Sequence, residues 1–207
     1  MVEKSTNTLS VADSELLSAL SQAFTYPARG MAETTAALEN LDARAFPAYA
    51  RLIAAALETS RQFDSQTAAQ LAYTRLFIGS MRMEAPPYAS YYLEEGHTLY
   101  GQAAVEVESI YRQFGIELDS NEIAPPDHLR YLLAFLALLA KRYEETGEEA
   151  FAEAYADFCE EYVFTWIDDC RKLVDRNAEE PYYPALMALI VAVLLNDGGA
   201  PCAPTGD

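Results

Sequence analysis

The sequence contains few of the side chains that build disulfide frameworks and metal centres. Among its 207 residues there are three cysteines and two histidines. The cysteines are Cys159, Cys170 and Cys202. Their odd number and the lack of a Cys-x-x-Cys pair predict neither a disulfide scaffold nor a zinc site. His97 and His128 stand outside any helical metal-binding pattern, because Gly96 breaks the stretch between Glu94 and His97. These residues therefore predict no metal ion and no cofactor.

Basic side chains are scarce relative to acidic ones. The chain has 14 lysine and arginine residues against 32 aspartate and glutamate residues, which gives a net charge of −18. Such a surface repels nucleic-acid phosphates and anionic lipid headgroups, so we exclude nucleic acid as a partner. The same charge attracts a basic ligand, for example an arginine-bearing peptide. The alternative is that the acidic residues only keep a helical protein in solution.

Long hydrophobic runs are also absent. The longest stretch without charged or strongly polar side chains covers residues 181–195, which is shorter than the roughly 18 residues of a membrane span. Residues 1–14 are polar and lack the apolar segment of a signal peptide. We therefore expect a cytoplasmic protein without stable membrane insertion.

Glycine is sparse, with nine residues, and no segment alternates strictly between apolar and polar side chains. Apolar residues recur instead at helical spacing, so the sequence predicts an all-α fold. We expect one globular domain over residues 1–207, with about seven to eight helices and frayed ends at 1–9 and 198–207. The predicted helices cover residues 10–26, 32–41, 45–63, 65–78, 97–114, 129–142, 148–174 and 184–195.

Two proline-containing segments interrupt the helical pattern. Residues 80–96 contain a proline pair followed by tyrosines, and residues 116–126 end in a second proline pair. An aromatic loop on a helical frame is often a binding element, and the alternative is a lid that only covers the core. The sequence leaves both open. Asp127 is predicted to cap the helix that begins at Leu129, which we expect to be central and buried.

The sequence offers little that resembles catalytic machinery. No glycine-rich phosphate loop of the Gly-x-x-x-x-Gly-Lys type occurs. Asp127 and His128 would form a triad with a serine, but adjacent residues at a helix start point in different directions. We interpret Asp127 as a helix cap and His128 as a partly buried polar contact. No enzymatic activity is expected.

Four short motifs follow one another along the middle of the chain. They are Tyr73-Thr74-Arg75-Leu76-Phe77, Ala85-Pro86-Pro87-Tyr88-Ala89-Ser90, Leu99-Tyr100-Gly101 and Glu122-Ile123-Ala124-Pro125-Pro126-Asp127-His128. In this order they resemble the TorD/DmsD family of redox enzyme maturation chaperones, with the NarJ-type nitrate reductase chaperones as more distant relatives. One departure from the family pattern is the pair of residues, Ile123 and Ala124, between Glu122 and the prolines.

The resemblance implies a system-specific, all-helical cytoplasmic chaperone. Members of the family bind the twin-arginine signal peptide and the body of a molybdopterin oxidoreductase subunit, aid cofactor insertion and hold back premature Tat export. Carried over residue by residue, the signal-peptide contacts would be Tyr73, Leu76, Phe77, Pro87, Tyr88, Gly101, Asp127 and His128. A monomer or a dimer that exchanges helices at a hinge in residues 145–147 is also implied. The alternative is a helical adaptor that binds a different partner.

Arginine contacts alone are too weak to hold such a peptide. Exposed ion pairs contribute about 0.2–1 kcal/mol each, whereas micromolar affinity requires about 8 kcal/mol. Burial of one apolar side chain contributes about 1.5–3 kcal/mol. We therefore predict that aromatic side chains in a ring-lined hollow supply most of the affinity, and that acidic side chains select for arginine. The aromatic residues are Tyr73, Phe77 and Tyr88, and the acidic ones are Asp127, Glu84 and Glu122.

Overall fold

The computed structural model describes residues 11–79, 83–118 and 124–195. These residues form ten α-helices and one π-helical turn, which confirms the predicted all-α class. The α-helices are α1 Ser14–Ala23, α2 Met31–Asn40, α3 Ala50–Ser60, α4 Gln66–Tyr73, α5 Ala89–Leu93, α6 Gln102–Gln113, α7 Leu129–Thr146, α8 Glu149–Tyr162, α9 Ile167–Asn177 and α10 Tyr182–Leu194. The π-helical turn, Thr74–Ile78, continues α4. Among the helices of these ranges, none combines the length and the hydropathy of a transmembrane span.

Helix α7 lies at the centre of the core. Its residues Leu132, Leu136 and Leu139 are fully buried, and the helix packs against both α1 and α8. Burial of each leucine stabilises the fold by about 1.5–3 kcal/mol. The prediction of a central buried helix is therefore confirmed. Gly147 ends α7 with a φ of 69°, at the position of the predicted hinge. Exchange of helices between protomers stays a prediction.

Helix α10 is the second strongly apolar element and packs against α3 and α9. The hydroxyl of Tyr182 donates to the carbonyl oxygen of Ala23 at 3.0 Å. A buried phenol needs such a partner, so this bond fixes α10 beside the end of α1. As a result Tyr183 and Phe24 lie in the same part of the core.

Side-chain caps begin two of the helices. Helix α1 begins at Ser14 and not at residue 10 as predicted, whereas α4 begins next to the predicted residue 65. Asp13 Oδ1 accepts from the backbone N–H groups of Glu15 at 2.9 Å and Leu16 at 3.1 Å. Ser65 Oγ accepts from Ala68 N at 3.1 Å. Each cap satisfies N–H groups that have no partner inside the helix, and contributes about 1 kcal/mol.

The helix count exceeds the prediction in part because the expected helix over 148–174 is two helices. In a continuous helix the carbonyl of Tyr162 would accept from the backbone N–H of Trp166. The indole N–H of Trp166 takes that carbonyl at 2.6 Å instead. The backbone N–H of Trp166 bonds to Val163 O. Burial of this large ring therefore separates α8 from α9.

Three further predictions about helix ends were wrong. The predicted 80–96 loop contains the short helix α5. Helix α6 begins at Gln102 rather than residue 97, because His97 and Tyr100 have φ values of 54° and 58°, which a helix does not allow. Asp127 does not cap α7: His128 is the N-cap, and its Nδ1 accepts from Arg130 N at 3.1 Å.

Candidate functional site

The motif around Tyr73 packs into an aromatic cluster at the end of α4. The ring of Phe77 lies 5.0 Å from that of Tyr73, 4.9 Å from Phe24 and 5.1 Å from Tyr183. Leu76 and Phe77 are fully buried, so their surroundings are those of core residues. The π-helical turn that carries them is a rare form that often occurs at functional sites.

The two proline segments lie side by side. Tyr88 and His128 form an antiparallel bridge. Beside it, Leu129 N donates to Pro87 O at 2.8 Å and Ala89 N donates to Asp127 O at 3.2 Å. This pairing brings the start of α5 against the start of α7. Pro87, Tyr88, Asp127 and His128, far apart in the sequence, therefore share one site.

The carboxylate of Asp127 is fully buried and caps α5 from outside that helix. Its Oδ2 accepts from Ser90 N at 2.7 Å. Its Oδ1 has no hydrogen-bond partner among the described residues. Burial raises the pKa of Asp127, against the lowering effect of the Ser90 bonds. Asp127 was predicted to contact an arginine of the ligand, whereas this carboxylate faces the protein interior.

His128 is buried and joins the cap of α7 to the aromatic cluster. Because Nδ1 accepts from Arg130 N, the neutral ring carries its proton on Nε2, which lies 3.5 Å from the hydroxyl of Tyr73. The ring packs 5.1 Å from that of Tyr88. Burial, followed by the positive charge of Arg130, lowers the pKa of His128 to about 3. Burial also raises the pKa of Tyr88 to about 12, with Asp127 and Tyr100 adding to the shift.

Gly101 lies beside this cluster rather than within it. It precedes α6, where Glu94 Oε1 accepts from Ala103 N at 2.9 Å. A Cβ added to Gly101 would lie 1.8 Å from the Glu94 carboxylate. Glycine therefore leaves room for the carboxylate that caps α6. Besides burial, the negative charge of Glu94 raises the pKa of Asp127. Gly101 therefore lies next to the other predicted site residues, with the Glu94 side chain between them.

The other two acidic residues predicted to contact arginine are placed differently. Glu84 forms an ion pair with Arg75 of the chain itself, with its Oε2 3.5 Å from the Arg75 Nε. Arg75 also pairs with Glu179 and Glu180. The Glu84 carboxylate is therefore already paired with an arginine of the protein itself. Glu122 lies outside the described residues.

The predicted site residues form a closed cluster, because Tyr88, the most exposed of its aromatic rings, is only 9% exposed. Two cavities, of about 400 and 210 Å³, lie elsewhere, between α2 and the end of α3 and beside α6. The rim carries two exposed rings that were not among the predicted contacts. Tyr26 packs its ring 5.6 Å from that of Tyr73, and Tyr100 precedes Gly101. Tyr100 stands in the Leu99-Tyr100-Gly101 motif, but no pattern shows that either ring is exposed, because exposure depends on the fold.

No group of three or more histidine, cysteine or carboxylate side chains in the described part of the chain is arranged to hold a metal ion. The two cysteines described, Cys159 and Cys170, are buried and free. Burial raises the pKa of both thiols to about 12. Both therefore stay protonated and act as packing groups at neutral pH.

Residues 30–172 match the family model for the nitrate reductase delta subunit. The chaperone protein TorD of Vibrio parahaemolyticus is 28% identical over 150 residues, which are 70% of this chain and 70% of that protein. TorD of Vibrio cholerae is 31% identical over 65% of this chain and 62% of its own length. The Tat proofreading chaperone DmsD of Salmonella paratyphi A is 29% identical over 56% of this chain and 53% of its own.

A solved structure agrees with these matches. A crystal structure assigned to a redox enzyme maturation protein of Archaeoglobus fulgidus has a TM-score of 0.55 and 26% identity, and the match covers 84% of this chain and 89% of that one. The chain therefore belongs to the nitrate reductase delta subunit family. These matches confirm, at the level of the family, the predicted resemblance to redox enzyme maturation chaperones. The relatives named above are chaperones and not enzymes. The chain spans between 53% and 70% of the length of the three curated relatives.

Proposed function

We propose that the chain is a cytoplasmic chaperone for one redox enzyme, and that it binds the twin-arginine leader and the body of a molybdopterin oxidoreductase subunit. The observation that carries this proposal is the pairing of the two proline segments, which gathers Tyr73, Tyr88, Asp127 and His128 into one site. Family membership supports the chaperone class. The client and the leader are inferred from that class.

The electrostatics of the site suit a cationic ligand. The net charge of −18 raises the local concentration of a basic leader and speeds its association. His128 adds no positive charge at neutral pH, because its lowered pKa keeps the ring neutral. Asp127 contributes through the position of α5, since its carboxylate is buried. The arginines of the leader therefore pair with carboxylates on the surface around the cluster.

The leader first meets the rim of the closed cluster. Tyr26 and Tyr100 are the exposed rings there. Surface ion pairs contribute about 0.2–1 kcal/mol each, and burial of an apolar side chain about 1.5–3 kcal/mol. A leader that buries three or four apolar side chains reaches micromolar affinity after the cost of ordering. Apolar contacts therefore dominate affinity, and charge governs selectivity and on-rate.

Isothermal titration calorimetry with a synthetic leader tests the proposal. The client is first identified as the oxidoreductase subunit that co-purifies with the chain. A synthetic peptide of its leader is then titrated into the full chain. Two altered peptides serve as controls: one has alanine for both arginines, and the other has serine throughout the apolar stretch. We expect both to bind more weakly, with the larger loss for the serine peptide.

Two results would contradict the proposal in different ways. If the native leader did not bind, the chain would not be a leader-binding chaperone. If the chain instead captured a partner without paired arginines, and bound it as tightly as any leader, the helical adaptor would be the better description.

A further inference from the structure

Three large apolar side chains are exposed where α5 passes into α6. The exposed fractions are 37% for Leu93, 61% for Tyr100 and 58% for Val105. We call these three residues the junction patch. Single exposed apolar residues are common on protein surfaces, whereas a group of them marks an interaction surface.

The backbone brings the three residues of the junction patch to one place. The side chain of Glu94, which follows Leu93, lies against Gly101 and bonds to Ala103 N at 2.9 Å. Val105 N donates to Gly101 O at 3.3 Å, which sets Val105 on the first turn of α6 beside that contact. Leu93, Tyr100 and Val105 therefore surround the same helix junction.

Tyr100 holds its exposed ring on a strained backbone. Its φ of 58° lies in the left-handed region, which side chains other than those of glycine, asparagine and aspartate seldom adopt. Such strained positions persist where the surrounding structure enforces them, and they concentrate at ligand-binding segments. Here the neighbouring cap of α6 by Glu94 fixes the chain on either side of the ring.

The chain around the junction patch is rich in glutamate. From residue 83 to residue 111 the chain has five glutamates and no lysine or arginine. The glutamates are Glu84, Glu94, Glu95, Glu106 and Glu108. Glu84 pairs with Arg75 and Glu108 with Arg112, so Glu94, Glu95 and Glu106 supply the negative charge beside the patch. An apolar surface in such a setting is complementary to a ligand that carries apolar and cationic side chains together.

The junction patch also adjoins the buried cluster. The hydroxyl of Tyr88 is close enough to both Asp127 and Tyr100 for each to act on it electrostatically. The surface at Tyr100 therefore continues the site formed by Tyr88 and His128 outward to solvent.

We infer that the junction patch of Leu93, Tyr100 and Val105 is the surface that receives the apolar stretch of the leader, with Glu95 and its acidic neighbours holding the arginines. This inference rests on the proposed function and adds the place and the chemistry of contact. The occupant is a cationic peptide segment with an adjoining apolar run.

Serine substitutions in the junction patch test the inference, because its side chains are exposed and lie outside the hydrophobic core. We expect Tyr100→Ser with Val105→Ser to weaken leader binding about tenfold or more in calorimetry, with the melting temperature unchanged. Leu71→Ser is the matched control. Leu71 is 65% exposed and lies on α4, about 200° around the helix from Tyr73. It should leave leader affinity unchanged.

A leader peptide with serine in place of its apolar stretch shows whether the junction patch contacts that stretch. If the patch binds that stretch, the double variant and the wild type bind this peptide with equal, weak affinity. For the charge, Glu95→Gln should reduce the salt dependence of the on-rate, whereas Glu58→Gln, an exposed glutamate on α3, should not.

The outcomes separate the inference from the proposed function. If the wild type binds the leader and the double variant binds it equally well, the patch is not the contact surface, and the proposed function stands. If the wild type binds no leader, both fail. If sedimentation shows a wild-type dimer that the double variant abolishes while leader affinity is unchanged, the patch joins two copies of the chain, which also overturns the inference.

Discussion

Replacement of Asp127 distinguishes a carboxylate that caps α5 from one that contacts an arginine of the ligand. In Asp127→Ala the Ser90 N–H loses its acceptor at 2.7 Å while remaining fully buried. An unsatisfied buried donor costs about 1–3 kcal/mol, so we expect the free energy of unfolding to fall by that amount. Asp127→Asn keeps an oxygen in the same place and should lose about 1 kcal/mol or less.

The pH dependence of the same variants adds a second measurement. The pKa of Asp127 is raised above 3.8 in the folded state, so the folded protein binds this proton more tightly than the unfolded chain. The stability that comes from this group is thus present at low pH and is lost as the pH rises through the folded-state pKa. Wild type should therefore lose stability relative to Asp127→Asn as the pH rises above 3.8.

Urea denaturation and leader titration together decide between the two roles. If Asp127 acts by capping α5, Asp127→Asn retains most leader affinity and Asp127→Ala loses much of it as α5 loosens. Hydrogen exchange at Ala89 and Ser90 should accelerate only in Asp127→Ala. Equal loss of affinity in both variants, with unchanged stability, would refute the capping role and favour a direct contact with arginine.

The remaining predictions concern the neighbouring residues. Phe77→Ala should lower the free energy of unfolding by about 3–5 kcal/mol in urea titrations, because its buried ring packs among Phe24, Tyr73 and Tyr183. Gly101→Ala should cost about 1 kcal/mol by the same measurement, since its Cβ displaces the carboxylate that caps α6. The pKa of His128 is lowered in the folded state, so the neutral ring stabilises the fold above pH 6.5, and this contribution is lost as the pH falls toward about 3. In thermal melts at a series of pH values, His128→Asn should therefore lose less stability in acid than the wild type.

Local sequence signals predicted the parts of the fold that depend on near neighbours. The start of α4 follows from Ser65, three positions before the N–H group that it caps, and the burial of α7 follows from its own apolar pattern. The break between α8 and α9 has no such signal, since no glycine or proline lies there. It depends on the burial of Trp166, whose ring stacks on that of Tyr92 at 5.1 Å.

The sequence predicted which residues belong to the candidate site, and their part in binding stays a prediction; their geometry was not predicted. The motifs named Tyr73, Tyr88, Asp127 and His128, and the fold brings them together. That Asp127 caps α5 depends on the pairing of two segments 37 residues apart in the chain, which no local pattern encodes. Exposure is equally non-local, which is why Tyr100, although it lies in one of the motifs, was not predicted as a contact.

Hydrogen–deuterium exchange of the full chain with and without a client leader tests the central claim most directly. Binding should slow exchange at residues 87–105 and 127–131, where the junction patch and the Tyr88–His128 pairing lie. Protection confined to α2 and the end of α3, around the 400 Å³ cavity, would place the ligand elsewhere and contradict the account.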